Sequence, residues 1–195
     1  MIPFDQRKIV ALDIGGVCIQ LHREQCFREM GFDSEKAAPP DFLAACNLLE
    51  KGKISNDLWL EHLQAAINYN YTNSQLLAGW NTMIGCDIPG MGQAVREFSD
   101  RFRFVYFSNT SRLHLDEVVR KNRFGHLVTG GVFSFEAGYM KPEKEIYQIF
   151  ENTYGVPVAY FDDNAGNIAA ASNRGWNSHL YTCPEDFTKV LNTLL

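Results

Sequence analysis

A short apolar run near the N-terminus constrains the fold most, because it ends in a carboxylate and two glycines: Lys8-Ile-Val-Ala-Leu-Asp13-Ile-Gly15-Gly16-Val17. Such a run closed by Gly-Gly predicts a buried strand followed by a tight turn. Asp13 then lies at the carboxyl end of the strand, the edge at which open parallel sheets bind ligands. Glycines there let the backbone approach a bound group closely. Asp is also common in turns, so this motif alone leaves a binding role and a turn role equally open.

Strand and helix patterns alternate from residue 87 to the C-terminus. We predict strands at 102–107, 131–135, 158–161 and 179–181, and helices at 91–101, 113–121, 142–154, 168–174 and 184–194. This alternation implies right-handed crossovers and a parallel sheet with helices on both faces. The predicted fold class is therefore α/β, a doubly wound, Rossmann-like parallel sheet.

Between the first two strands of that sheet the pattern is helical, with no convincing strand from residue 20 to 86. We predict helices at 23–30, 41–50, 55–69 and 74–83, separated by glycines, prolines and a turn cluster at 69–73. Trp59, Leu63, Ala66 and Ile67 recur at helical spacing, which is typical of a core-facing stripe. We therefore predict an α/β core formed by residues 1–20 and 87–195, with a small all-helical cap, residues 21–86, inserted after the first strand as a lid.

Composition and charge indicate which kind of molecule the chain binds. The chain has 195 residues, 46% of them hydrophobic and 21% charged, which suits one globular domain carrying an insertion. No apolar run approaches the length of a membrane span. The net charge is −5 and the Lys and Arg residues are dispersed, so a nucleic-acid binder is not expected. We expect a small-molecule partner, neither nucleic acid nor membrane, and make no prediction of oligomeric state.

The expected location is the cytoplasm. The N-terminal stretch contains no apolar segment before a cleavage site, so we expect no export. Five scattered cysteines form no pair at zinc-site spacing, and reduced thiols in a cytoplasmic protein are the simplest account of them.

Polar groups end three of the predicted strands, as Asp13, Ser108-Asn109-Thr110 and Asp162-Asp163. The carboxyl ends of parallel strands share one edge, so we expect these groups to converge. Neighbouring carboxylates repel one another unless a cation lies between them, and hard oxygen ligands favour Mg²⁺. The alternative is that each cluster only caps a helix, because Ser, Thr, Asn and Asp are good N-caps.

A lysine at an unusual place adds to this pattern. Lys141 precedes Pro142 at a predicted helix start, where a cation opposes the helix dipole, so it indicates an anion nearby. Ser108-Asn109-Thr110 can form an anion cradle from a hydroxyl and free N–H groups. A carboxylate nucleophile, a divalent metal, such a cradle and a lysine are the parts that phosphoryl transfer through an aspartyl-phosphate needs.

Four motifs in this order resemble the haloacid dehalogenase-like hydrolases along nearly the whole chain. They are Ile9-Val-Ala-Leu-Asp13-Ile-Gly-Gly-Val17, Phe107-Ser108-Asn109-Thr110, Met140-Lys141-Pro142, and Phe161-Asp162-Asp163-Asn164 followed by Asn167. The resemblance implies that Asp13 is the nucleophile. It implies Mg²⁺ bound by Asp13, the Gly15 carbonyl and Asp163, with Asp162 and Asn167 in support. It also implies a phosphoryl site formed by Ser108, the Asn109 backbone and Lys141, under a helical cap that excludes water.

The residues around two motifs narrow the resemblance. Ser108-Asn-Thr-Ser-Arg-Leu-His114 and Lys141-Pro-Glu-Lys-Glu-Ile-Tyr147 resemble the branch that includes phosphatases of glucose 1-phosphate. Most phosphatases of the family carry a second aspartate, the general acid–base, two residues after the nucleophile, where this chain has Gly15. The similar branch also has glycine there, so the general acid is unassigned. His22 and His114 are conceivable substitutes, although each is more typical of a surface or capping residue.

Three functions follow from these observations. The first is a Mg²⁺-dependent phosphatase of a small phosphorylated metabolite, with a sugar phosphate expected. The second is a weak or inactive member that binds a phosphorylated ligand or partner, which Gly15 favours. The third is a 2-haloacid dehalogenase, ranked last because that reaction needs no metal, whereas Asp162-Asp163 suggests one. Trp59, Trp80 and Tyr71 are candidates for cap residues that select the substrate.

Overall fold

A computed structural model of the chain describes residues 6–67 and 71–195. The predicted helix end at 68–69 and the first residues of the 69–73 turn cluster lie outside the described residues. The strands are β1 (Lys8–Leu12), β2 (Ile19–Leu21), β3 (Ile84–Asp87), β4 (Phe102–Ser108), β5 (Val128–Phe133), β6 (Ala159–Asp162) and β7 (Ser178–Leu180). β1 is the central strand of a five-stranded parallel sheet in the order β5-β4-β1-β6-β7. The α/β fold class is confirmed.

The helices fall into two groups. The first is α1 (Arg23–Glu29), α2 (Pro40–Glu50), α3 (Asn56–Ala66) and α4 (Asn73–Asn81). These four lie between β2 and β3, and we call them the helical insert. The second group is α5 (Met91–Phe98), α6 (Arg112–Lys121), α7 (Ser134–Ala137), α8 (Lys144–Tyr154), α9 (Ala165–Ser172) and α10 (Pro184–Asn192), which connect and follow the parallel strands. None of the helices in the described part of the chain has the length and apolar character needed to cross a membrane.

Two short strands bound the helical insert, and the sequence analysis missed both. β2 and β3 pair antiparallel, and the backbone N–H of His22 donates to the carbonyl of Met83 at 2.9 Å. The two chain connections to the insert therefore run side by side. Strands of three and four residues are too short to show a period, so the expectation of no strand from residue 20 to 86 was wrong at both ends. The division into an α/β core and a cap domain stays a prediction.

The core lies on both faces of the sheet. Val10 and Leu12 point into one cluster of buried side chains and Ala11 into the other, as the alternation along a strand requires. Aromatic side chains dominate the second cluster, where the rings of Phe107 and Trp176 lie 5.6 Å apart. Buried side chains therefore cover both faces of the parallel sheet.

The insert has an aromatic core of its own. Trp59, Leu63 and Ile67 are buried, which confirms the predicted core stripe. The rings of Trp59 and Trp80 lie 4.8 Å apart, and both side chains are buried. Neither tryptophan is among the residues lining the cavity at the carboxyl ends of the strands, so the idea that these two select the substrate was wrong. Tyr71 is partly exposed and also lies outside that lining.

Candidate active site

The carboxyl ends of three adjacent strands form the floor of a cavity. Asp13 follows β1, Ser108 ends β4 and Asp162 ends β6, and the N–H of Asp13 donates to the Phe161 carbonyl at 2.9 Å. The cavity has a volume of about 470 Å³. Its lining combines strand ends with the insert: Asp13, Ile14, Gly15, Leu21, Arg23, Glu35, Glu50, Met83, Ile84, Ser108, Asn109, Thr110, His114, Val118, Lys141, Asp163, Asn164 and Asn167.

Lys141 is the buried cation of this site. Its Nζ lies 2.6 Å from Asp162 Oδ2 and 3.2 Å from Asp13 Oδ1, and it donates to the Phe107 carbonyl at 2.7 Å. Burial alone would lower the pKa of Lys141, but the two carboxylates outweigh burial and raise it. The ammonium is therefore charged and links the β1 and β6 carboxylates.

The sequence placed Lys141 at a helix start, and this was wrong. The N–H of Glu143 donates to the Met140 carbonyl at 2.7 Å, so residues 140–143 form a turn and α8 begins only at Lys144. The anions near Lys141 are carboxylates of the protein itself. The predicted strand at 131–135 is also shifted, because β5 ends at Phe133 and α7 follows directly.

Asp13 is held as a buried carboxylate facing the cavity. Its Oδ1 accepts a hydrogen bond from the N–H of Ile14 at 2.7 Å, in addition to the contact with Lys141. Burial raises the pKa of Asp13 to about 7, Lys141 opposes the rise, and the negative charge of Asp162 adds to it. The positive charge of Lys141 therefore only partly compensates the negative charge of the ionised Asp13 carboxylate.

Asp162 plays a different part, because its oxygens are already occupied. Oδ2 accepts from Lys141 and from the Tyr160 hydroxyl, and Oδ1 accepts from the N–H of Asn164 at 2.8 Å. The Asn167 amide donates to both oxygens, at 3.1 and 3.2 Å. Burial would raise the pKa of Asp162, but Lys141 and these donors bring it below its ordinary value. Asp162 thus stays ionised and orients Lys141.

Asp163 brings a third carboxylate, exposed towards the cavity. One oxygen from each of Asp13, Asp162 and Asp163 lies within 4.8 Å of the others. Burial, followed by repulsion from Asp162, raises the pKa of Asp163. Gly16 has φ of +72°, and a Cβ on it would lie 2.1 Å from Asp163 Oδ2. Only glycine therefore allows the loop after β1 to approach this carboxylate.

Asn109 acts through its side chain, which the sequence analysis did not foresee. Its Nδ2 donates to the Lys141 carbonyl at 2.9 Å and its Oδ1 accepts from the Lys141 N–H at 2.8 Å. This pair of bonds fixes the backbone that carries the buried lysine. Ser108 is buried beside Asp13, and its hydroxyl lowers the Asp13 pKa by hydrogen bonding.

One of the two polar motifs that could cap the helix after it does so, and the other does not. Asn164 does cap α9, because its side chain accepts from the N–H groups of Gly166 and Asn167. The cap of α6 is Ser111, which accepts from the N–H of His114 at 3.2 Å, so Ser108, Asn109 and Thr110 are not its cap. The cap alternative for that motif was therefore wrong.

Several residues lining the cavity from the insert side escaped the sequence analysis. Arg23, Glu35 and Glu50 belong to segments that carry no motif, and their shared orientation depends only on how the insert packs. His114 is buried, with its ring stacked on Trp80 at 4.3 Å, so the expectation of a surface or capping histidine was wrong for it. His22 is exposed, as expected.

Solved structures share this architecture over nearly the full chain. A HAD family enzyme from Bacteroides thetaiotaomicron superposes with a TM-score of 0.82 at 21% identity, over 95% of this chain and 98% of that one. The chain has the haloacid dehalogenase-like fold. The resemblance seen in the motifs is thus confirmed at the level of the fold, although no protein-family model matches the sequence.

Two further structures with this fold extend the comparison. The same enzyme in complex with magnesium and inorganic phosphate gives a TM-score of 0.78 at 21% identity, over 94% of this chain and 98% of that one. A protein from Porphyromonas gingivalis, described as a predicted HAD-like family hydrolase, gives 0.78 at 19% identity, over 96% and 97% of the two chains. The haloacid dehalogenase-like fold of this chain therefore includes the helical insert.

Proposed function

We propose that this chain is a Mg²⁺-dependent phosphatase that hydrolyses a small phosphorylated metabolite through an aspartyl-phosphate. The observation that carries the proposal is the position of Asp13, held between Lys141 and a group of carboxylates on the floor of the cavity. In this proposal Asp13 is the catalytic nucleophile, and its carboxylate attacks phosphorus. A solved structure of similar fold contains magnesium and inorganic phosphate, which supports the same chemistry here.

The carboxylate cluster suits a divalent cation. The pKa values of Asp13 and Asp163 are raised by burial and by like charge, and both effects are relieved when a cation binds between these groups. The oxygens of Asp162 are already engaged, so we assign the ligands to Asp13, Asp163 and the Gly15 carbonyl. Asp162 and Asn167 support them. When bound, Mg²⁺ would neutralise part of the phosphoryl charge.

The remaining side chains bind and orient the phosphoryl group. Lys141 brings a charged ammonium beside Asp13, and Ser108 and the Asn109 backbone line the same cavity. We assign phosphate binding to these three, with Lys141 also contributing to catalysis by stabilising developing negative charge. Arg23 and Glu35 approach from the insert side, so closure of the insert would exclude water.

The cavity favours a small polar substrate. A volume of about 470 Å³ lies within the ordinary range for small-molecule sites. Charged and amide side chains from the insert and from the loop after β6, such as Arg23, Glu50 and Asn164, are suited to binding hydroxyl groups. A sugar phosphate is therefore the substrate class we propose.

Phosphate release from a panel of sugar phosphates and other esters tests the proposal. Wild type is compared with Asp13→Asn and with the exposed control Asp100→Asn, each with Mg²⁺ and with EDTA. We expect release that needs both Mg²⁺ and Asp13 and is unchanged in the control. Halide release from a 2-haloacid without metal would instead identify a dehalogenase. Binding of an ester by folded, Mg²⁺-loaded protein without release would identify a binding protein.

A further inference from the structure

Position 15, in the loop after β1, is a glycine with a leucine side chain packed against it. A Cβ on Gly15 would lie 2.6 Å from Leu21 Cδ1, so the space beside this residue is filled by a leucine of β2. If the chain is a phosphatase, as proposed above, the proton for the leaving oxygen has to come from another element. A positioned general acid is worth about 10²–10⁴-fold in rate, so the cavity walls are the place to look for one.

Four further ionisable side chains line the cavity among the described residues: Arg23, Glu35, Glu50 and His114. His114 Nε2 lies 3.1 Å from the Trp80 carbonyl, and burial lowers its pKa to about 4, so this ring has a structural role. An arginine guanidinium is not a general acid near neutral pH, and that of Arg23 lies 3.8 Å from Glu35 in a half-exposed ion pair. Glu50 is therefore the candidate proton donor among these four side chains.

Contacts made by Lys51 and Gly52, which follow Glu50, fix Glu50 at the boundary between the insert and the parallel sheet. Glu50 ends α2, and Lys51 Nζ lies 2.5 Å from Glu143 Oε1. Glu143 in turn accepts from the Met140 N–H at 3.0 Å, in the turn that carries Lys141. A Cβ on Gly52 would lie 2.1 Å from the Phe135 carbonyl oxygen, so the backbone approaches α7 closely. The end of α2 is thereby tied to the segment beside Lys141.

The surroundings of Glu50 suit a group that exchanges protons near neutral pH. Burial raises its pKa to about 7, Arg23 opposes the rise and Glu35 adds to it. The partial negative charge at the end of α2 acts in the same direction as burial. Asp13, Asp163 and Lys141 line the same cavity from the side of the parallel sheet. A pKa near the working pH is the best value for a general acid–base.

We propose that Glu50 is the general acid–base residue of this site. As Asp13 bonds to phosphorus and the ester P–O bond breaks, the Glu50 proton passes to the leaving oxygen and releases the alcohol. The Glu50 carboxylate then takes a proton from water as the water oxygen bonds to phosphorus. The bond from Asp13 to phosphorus breaks, which releases inorganic phosphate and leaves Glu50 protonated again.

Leaving-group dependence tests this role. Glu50→Gln is compared with wild type on the best alkyl phosphate of the panel and on p-nitrophenyl phosphate, whose leaving group needs no proton. Because kcat/KM reports only the steps through phosphoryl transfer to Asp13, we expect a fall of about 10²–10⁴-fold on the alkyl ester. On p-nitrophenyl phosphate we expect less than about tenfold, since no general acid is needed there.

A matched control and a wild-type measurement complete the test. Glu61→Gln makes the same chemical change at an exposed position of α3 and should leave both kcat/KM values unchanged. In wild type, kcat/KM on the alkyl ester should fall above about pH 7, and the fall should be absent on p-nitrophenyl phosphate. Absence of this fall in wild type would contradict the assignment even if Glu50→Gln does not fold.

Two results would overturn the assignment. Equal losses on both esters would mean that Glu50 only binds substrate, and unchanged values on both would mean that it has no part in the reaction. Failure of the proposed function is distinguishable, because wild type itself would then release phosphate from none of the esters.

Discussion

Removing the charge of Asp13 should stabilise the folded protein while abolishing its proposed activity. The Asp13 carboxylate is buried and lies near Asp162 and Asp163, with Lys141 as the cation in contact with it. In Asp13→Asn the amide oxygen can still accept from the Ile14 N–H. The amide NH₂ replaces the other carboxylate oxygen, whose negative charge Asp162 and Asp163 repel. The variant therefore keeps the packing and removes the excess charge.

The size of the effect follows from the pKa. Its value for Asp13 is 3.8 ordinarily and about 7 in the folded protein, with burial as the main cause. The folded state therefore binds the proton more tightly, and the stability due to this group is lost as pH rises through 7. At pH 8 without metal, holding Asp13 ionised in the folded protein lowers stability by at most about 4 kcal/mol. At pH 5 the folded group is protonated while the unfolded one is ionised, and this difference lowers stability by about 2 kcal/mol. Asp13→Asn should exceed wild type in stability by up to these amounts.

Urea unfolding in EDTA at pH 5 and pH 8 measures the difference, with Asp100→Asn as a control that should stay within about 0.5 kcal/mol of wild type. Mg²⁺ at about 100 times its Kd should stabilise wild type by about 2.7 kcal/mol and the variant by less. The reasoning is refuted if Asp13→Asn is no more stable than wild type at pH 8 in EDTA, or if the gap does not narrow on acidification.

Two further predictions concern residues around the site. Gly16→Ala should be destabilised by more than the roughly 1–2 kcal/mol that left-handed backbone costs an alanine, and should lose Mg²⁺ stabilisation, because its Cβ meets Asp163. Gly175→Ala is the matched control, since Gly175 has a similar φ of +84° and open space around it, and equal thermal shifts for both variants would contradict the prediction. His114 has a pKa of about 4 because of burial, against 6.5 ordinarily, so the unfolded chain binds a proton first as pH falls. From pH 7 to pH 4 wild type should lose about 3 kcal/mol relative to His114→Phe, whereas parallel pH curves for the two proteins would contradict a buried neutral imidazole.

Local patterns were sufficient to predict the frame of the site. The apolar run before Asp13 fixes β1, and the alternation of strand and helix after residue 87 fixes a parallel sheet, because each pattern reflects which side chains are buried along one element. Since parallel strands share one edge, the sequence alone could place Asp13, Ser108 and Asp162 together. The order of the four motifs was likewise enough to indicate the haloacid dehalogenase-like fold.

Contacts between distant residues were decided only by the tertiary structure. β2 and β3 are too short to show a period and exist because they pair with each other across the insert. The sequence indicated an anion near Lys141 but placed the lysine at a helix start, whereas its partners are Asp13 and Asp162, brought in by other strands. Leu21 beside Gly15, and Glu50 over the site, depend on how the insert packs on the sheet. The sequence thus determined which strand ends carry chemistry, and packing determined which side chains face them.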